Sequence, residues 1–135
     1  MIEPRDLLAF SSVMMGEDKT VNHEEAIHLR VAASSAYYSA YHTIKSRNLD
    51  LEDIPPGAKK EGVHATLINR LKVTARSGQL DEAASRLLRR MSEDLQQAKE
   101  IRNHADYKLN KHFPKGLAMQ AIRKAERIAE AASEL

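Results

Sequence analysis

The spacing of glycine and proline along the chain is the feature that most limits its fold. The 135 residues include five glycines and four prolines, and most of them fall between segments of helical periodicity. No segment alternates apolar and polar residues over the length of a strand. Long helical segments with short connections predict an all-α, up-and-down bundle of about five helices. The length suits a single domain over residues 1–135.

The first two predicted helices have recognisable start signals. The first begins near Pro4, a residue that suits a first helical turn, and ends at about Gly16. The second follows Asn22 as its N-cap, with Glu25 three residues later, which is the arrangement of a capping box. We expect this helix to continue to about Asn48.

The remaining three helices are separated by loops. Residues 49–62 contain a Pro-Pro-Gly sequence and are predicted to be a loop, because proline lacks the donor that a helix requires. The third helix is predicted over residues 63–76, ahead of a Ser-Gly pair. The fourth begins after Asp81 as N-cap and ends at about Leu109. Residues 110–113 form a short connection, and Pro114 opens a last helix that ends at Ser133.

Composition excludes several classes of protein. The chain is 42% hydrophobic and 30% charged, which is too apolar for disorder. It has no cysteine, so disulfides and thiolate metal sites are excluded, as is common in a reducing cytoplasm. No apolar run approaches the roughly 18 residues of a membrane span, and the first residues lack the layout of a secretion signal. We expect a cytoplasmic protein with no membrane partner. The net charge of +2 permits nucleic-acid binding without requiring it.

Two arginines lie on helix faces that are otherwise apolar. Arg30 falls within the apolar arc of the second helix, which includes Ile27, Val31 and Ser34. Arg102 falls near the middle of the core face of the fourth helix, which ends with Leu109. An arginine in such a place must be paired or must extend to water. We therefore predict that both are substantially buried and that at least one contacts a carboxylate, with Asp106 the best candidate. Two interpretations stay open: a structural salt-bridge network, or a phosphate or RNA site at one end of the bundle.

The sequence contains no strong metal or catalytic motif. His23 and His28 are five residues apart, which separates them around a helix, and His64 gives no signal by itself. There is no glycine-rich phosphate loop, nucleophile elbow or His-Glu-x-x-His sequence. We predict no metal site and no cofactor.

Two segments carry a pattern that is known from one family. Residues 30–42 read Arg-Val-Ala-Ala-Ser-Ser-Ala-Tyr-Tyr-Ser-Ala-Tyr-His, with small residues, paired tyrosines and a closing histidine. Residues 101–107 read Ile-Arg-Asn-His-Ala-Asp-Tyr. The first resembles the second-helix signature of HEPN domains (higher eukaryotes and prokaryotes nucleotide-binding), and the second is similar to their Arg-x-x-Ala-Asp-Tyr motif late in the fourth helix. The resemblance covers about residues 2–130.

The resemblance implies a compact α-bundle that often dimerises through its long helices. It also implies a role in RNA processing, toxin–antitoxin pairs or phage defence, frequently beside a minimal nucleotidyltransferase. The expected partners are thus a second copy of the chain, a nucleotidyltransferase or antitoxin, and RNA or a nucleotide. The expected ligand-binding residues by motif are Arg102, Asp106 and Tyr107. Tyr38 of the tyrosine pair and Arg30, by its helix face, complete the set.

The resemblance also raises the question of catalysis. Many HEPN domains are metal-independent ribonucleases in which an arginine is followed about four to six residues later by a histidine that assists proton transfer. Here His104 and His112 follow Arg102 at other spacings, and on a regular helix His104 points away from Arg102. We therefore expect a non-catalytic, nucleotide- or RNA-binding accessory module. The alternatives are a ribonuclease that uses Arg102, His104 and His112 across a dimer, and a helical scaffold with no nucleic-acid role.

Overall fold

The described part of the chain is entirely helical. The computed structural model describes residues 4, 5, 8, 23–47, 49–53 and 62–135. Its helices are α1 (His23–Ser46), α2 (Val63–Arg76), α3 (Glu82–Tyr107) and α4 (Lys115–Ser133). The all-α prediction is confirmed for these residues. Most of the first predicted helix, which would be a fifth, and the Asn22 cap lie outside the described residues.

Three of the predicted boundary signals act as expected. The Asp81 carboxylate accepts a hydrogen bond of 2.8 Å from the backbone N–H of Ala84 and so caps α3. Pro114 is the N-cap of α4. Gly78, which follows α2, has φ of 76°, a left-handed conformation that favours glycine. The helix α2 covers its predicted range and ends at Arg76, just before the Ser-Gly pair.

The end of α3 differs from the prediction. The helix stops at Tyr107 because Lys108 leaves helical geometry, with φ of −105° and ψ of 58°. Leu109, expected on the core face, is consequently 71% exposed. Ile27 and Val31 of α1, expected within the buried arc, are also exposed. Part of the predicted apolar surface is thus left uncovered within one chain.

The helices form a bundle in which α1, α3 and α4 pack against one another and α2 packs against α3. Alanines occupy much of the α1 and α4 core faces, and small side chains let two helix backbones approach closely. The alanines with at most 1% exposure in these helices are Ala32, Ala33, Ala36, Ala40, Ala118, Ala121, Ala125 and Ala132. Larger residues of α2 and α3, including Leu71, Met91 and Leu95, fill the rest of the core. No helix of the described residues is long and apolar enough to cross a membrane.

Asp94 is a buried charge that connects two helices of the bundle. Asp94 of α3 is buried and lies 3.5 Å from Lys124 Nζ and 3.3 Å from Arg127 Nε of α4. Two cations from a neighbouring helix compensate the carboxylate, as burial of a charge requires. Asp94 therefore joins α3 to α4 and is separate from the contacts of Arg102.

Candidate functional site

Arg102 is held by groups from both long helices. Its Nε donates to Asp106 Oδ2 at 2.9 Å, and its Nη2 donates to Tyr38 Oη at 2.7 Å and to Tyr107 Oη at 3.3 Å. The side chain of Arg102 is only 12% exposed. The prediction that Arg102 is buried and paired with Asp106 is confirmed. Arg102, Asp106, Tyr38 and Tyr107, all predicted as ligand-binding residues, lie together.

The flat groups of this cluster form a row. The guanidinium carbon of Arg102 lies 5.2 Å from the ring centroid of Tyr38 and 5.3 Å from that of Tyr107. The His42 ring in turn stacks on that of Tyr38, with centroids 6.3 Å apart and an interplanar angle of 25°. We call Tyr107, Arg102, Tyr38 and His42 the stacked row. Both of its ends are open to solvent, since Tyr107 is 69% exposed and His42 is exposed.

One nitrogen of Arg102 has spare hydrogen-bonding capacity. The Nη1 group has only a 3.5 Å contact, to Asn103 Oδ1, whereas Nε and Nη2 are engaged. Asp106 Oδ2 also accepts from Ser34 Oγ at 3.3 Å, which fixes the carboxylate against α1. Burial by itself opposes the charge of Arg102, but the neighbouring phenols and Asp106 outweigh it and raise the pKa of Arg102. The guanidinium is therefore permanently charged and fixed in direction, and Nη1 is its least engaged nitrogen.

His64 of α2 lies beside the stacked row, although no role was predicted for it. Its Nδ1 is 2.7 Å from Tyr37 Oη, and its ring contacts those of Tyr37, Tyr38 and Tyr41. Burial, with the charges of Arg102, Lys99 and His42, lowers the pKa of His64, and burial also raises that of Tyr37. The imidazole is thus neutral at pH 7. No sequence pattern signals this contact, because it joins two helices through their packing.

Arg30 lies apart from the stacked row and binds the end of α3. Its Nη1 donates to the carbonyls of His104 and Ala105, at 3.2 and 2.8 Å, and its Nη2 donates to the carbonyls of Lys108 and Lys111. The Ala105 carbonyl lies in the last turn of α3, where a helix leaves carbonyls without intrahelical partners, and the other three carbonyls lie in or just beyond that turn. A cation is also favoured there by the helix dipole. Arg30 is half-buried, and its hydrogen bonds go to backbone carbonyls and not to a carboxylate.

The histidines predicted for catalysis lie near Arg30. His104 Nε2 is 3.2 Å from the backbone oxygen of His112, and the His104 ring lies 5.4 Å from that of Phe113. Among the described contacts, neither His104 nor His112 touches Arg102. Within one chain Arg102 thus lies in the stacked row, whereas His104 and His112 lie near Arg30.

The described residues contain no group of three or more His, Asp and Glu side chains that could hold a metal ion. No protein-family model, curated protein or solved structure matches this chain. The chemistry of the site is therefore inferred from its contacts.

Proposed function

We propose that the chain is a HEPN-like module that binds RNA or a nucleotide at the stacked row. The observation that supports this most directly is the position of Arg102 between the rings of Tyr38 and Tyr107, with both ends of the row exposed. An unpaired base can stack on an exposed aromatic ring, a contact worth about 1–3 kcal/mol per base. The resemblance of residues 30–42 and 101–107 to HEPN motifs points to the same site.

In this proposal each group has a separate task. The exposed rings of Tyr107 and His42 stack on bases, and the Nη1 group of Arg102 donates to a phosphate oxygen. Asp106 orients the guanidinium and partly neutralises it, since the two groups are 2.9 Å apart. We therefore assign most of the affinity to stacking and hydrogen bonding, with a smaller share from net charge.

The proposal is tested by removing an exposed ring. Tyr107→Ala should weaken binding of a fluorescently labelled single-stranded octanucleotide by roughly tenfold or more, as expected from losing one stacking contact. Fluorescence anisotropy measures the change. Met119→Ala is the control, because Met119 is an exposed large side chain of α4, a helix that contributes no residue to the stacked row. Equal affinities of the two variants, or no binding by the unaltered chain, would contradict the proposal.

We also propose that the chain forms a homodimer. Ile27 and Val31 on α1 and Leu109 after α3 are exposed apolar residues. With Asp106 and Ser34 they line a cleft of about 370 Å³ next to the stacked row. A second copy that covers this surface would bury apolar area and place two stacked rows near one interface.

Metal-independent cleavage of RNA is the second candidate function. It is favoured by His64, whose neutral imidazole lies beside the stacked row and whose Nε2 has no partner among the described residues. Cleavage of labelled RNA in EDTA tests it. Loss of cleavage in a His104→Ala/His112→Ala variant would indicate a site composite across the dimer, and loss only in His64→Gln would indicate a site within one chain. Stable binding without cleavage favours the accessory module, and neither activity favours the scaffold.

A further inference from the structure

A second surface, between α2 and α3, has the chemistry of a polyanion site. A cleft of about 220 Å³ there is lined by Lys72, Ala75, Arg76, Arg89, Ser92 and Glu93. We call it the basic groove. Three of its residues are cationic and one is acidic, so its formal charge is +2.

The cations of the basic groove lack acidic partners. Among the described residues, no carboxylate oxygen lies within the 4.0 Å of an ion pair from Lys72, Arg76 or Arg89. Two other arginines of the same helices are paired, since Arg70 lies 3.8 Å from Asp53 and Arg86 lies 3.4 Å from Glu82. Three like charges around one cleft repel one another, and a bound polyanion would relieve that repulsion.

The basic groove and the stacked row share α3, and α2 contributes residues beside both. The start of α2 places His64 beside Tyr38, and the Lys99 charge of α3 lowers the pKa of His64 together with burial and Arg102. From His64, Lys72 is about 12 Å farther along α2 and Arg76 about 18 Å, at roughly 1.5 Å per residue. The α2 helix thus extends from the stacked row to the basic groove.

We propose that the ligand is single-stranded RNA whose base stacks on the stacked row and whose phosphates follow the basic groove. This inference depends on the function proposed above. A path of this length suits roughly four nucleotides, the lower end of single-strand site sizes. Duplex RNA does not fit, because a base must be unstacked from its neighbours to lie on an aromatic ring. An acidic peptide would match the charges of the groove but would leave the stacked row without a base.

The experiment compares one double variant with a control of equal charge. Lys72→Ala/Arg89→Ala removes two groove cations, and Arg90→Ala/Arg123→Ala removes two exposed cations outside the groove. Anisotropy measures binding of a labelled single-stranded octanucleotide over a range of salt concentrations. Shifts of the tyrosine ring signals in NMR measure binding of AMP, which reaches only the stacked row. Circular dichroism checks that both variants keep their helices.

The groove variant should bind the octanucleotide roughly tenfold more weakly at about 0.1 M salt. Its slope of log affinity against log salt should be smaller by about 1.4, at about 0.7 per lost phosphate contact on a single strand. Its binding of AMP should be unchanged, and the control should resemble the unaltered chain. Equal effects of the two variants, or an octanucleotide bound no more tightly than AMP, would overturn the groove proposal and leave the stacked row intact. If neither ligand binds, both proposals fail. Preference for an acidic peptide over the octanucleotide would overturn the choice of RNA.

Discussion

Arg102 and Asp106 form a half-buried pair whose members depend on each other. Arg102→Ala leaves the Asp106 carboxylate, 28% exposed, without its cation, and removes the donors to two phenols. We expect the free energy of unfolding to fall by roughly 2–3 kcal/mol, as urea denaturation measures. Asp106→Asn in the same chain should restore part of the loss, because the unpaired charge is then gone. Strictly additive losses in the two single variants and the double variant would contradict this coupling.

His64 makes stability depend on pH in a defined direction. Its pKa is lowered in the folded chain from an ordinary value of 6.5, so the unfolded chain binds its proton first as the pH falls. The folded chain is therefore most stable, as far as His64 is concerned, above about pH 6.5. Its free energy of unfolding decreases as the pH falls below that value. Thermal unfolding at pH 7.5 and pH 5.5 measures the loss. His64→Gln, which keeps a polar group beside Tyr37, should show a smaller decrease than the unaltered chain, and an equal decrease would exclude His64 as its source.

Individual residues were predictable where one helix decides their environment. Helical periodicity placed Arg102 on a core face, and its spacing to Asp106 is one helical turn, so their pairing could be read from the sequence. The contacts of Arg30 and His64 depend on how far one helix is displaced along another. That displacement is set by side-chain packing and has no local signal, which is why neither contact was anticipated.

At the scale of elements, the end of α3 depends on a side chain from α1. Arg30→Met removes donors to four backbone carbonyls while keeping much of the apolar stem. We expect a loss of roughly 1–3 kcal/mol in the free energy of unfolding, with reduced helical circular dichroism. Arg47→Met is the control, since Arg47 is an exposed arginine just beyond α1. Similar losses in both variants would contradict a capping role for Arg30.

Helix starts were predicted better than the end of the longest helix. Asp81 and Pro114 act through the chain immediately around them, so sequence alone identified the beginnings of α3 and α4. The last turn of α3 is completed by Arg30, a residue 77 positions before Tyr107 in the sequence. An end that is set by a distant side chain cannot be located from periodicity.

At the scale of the whole molecule, the exposed apolar residues of α1 predict self-association. The chain should elute as a dimer in size-exclusion chromatography with light scattering at tens of micromolar. Ile27→Lys should give a monomer. Position 27 is 58% exposed in one chain, so the lysine charge stays in water there and is desolvated only at an interface. Met119→Lys, on the exposed side of α4, should stay dimeric. A monomeric unaltered chain at this concentration would contradict the dimer.

The close packing of α1 against α4 also has a consequence for how the protein is made. The ribosome completes α1 before it begins α4, and it adds about 5–20 residues per second. The residues from 47 to 114 therefore take on the order of several seconds to synthesise. During that interval the alanine-lined face of α1 has no access to its main partner. The nascent chain must stay soluble with that face uncovered, so demand for chaperones should be greatest just before α4 emerges.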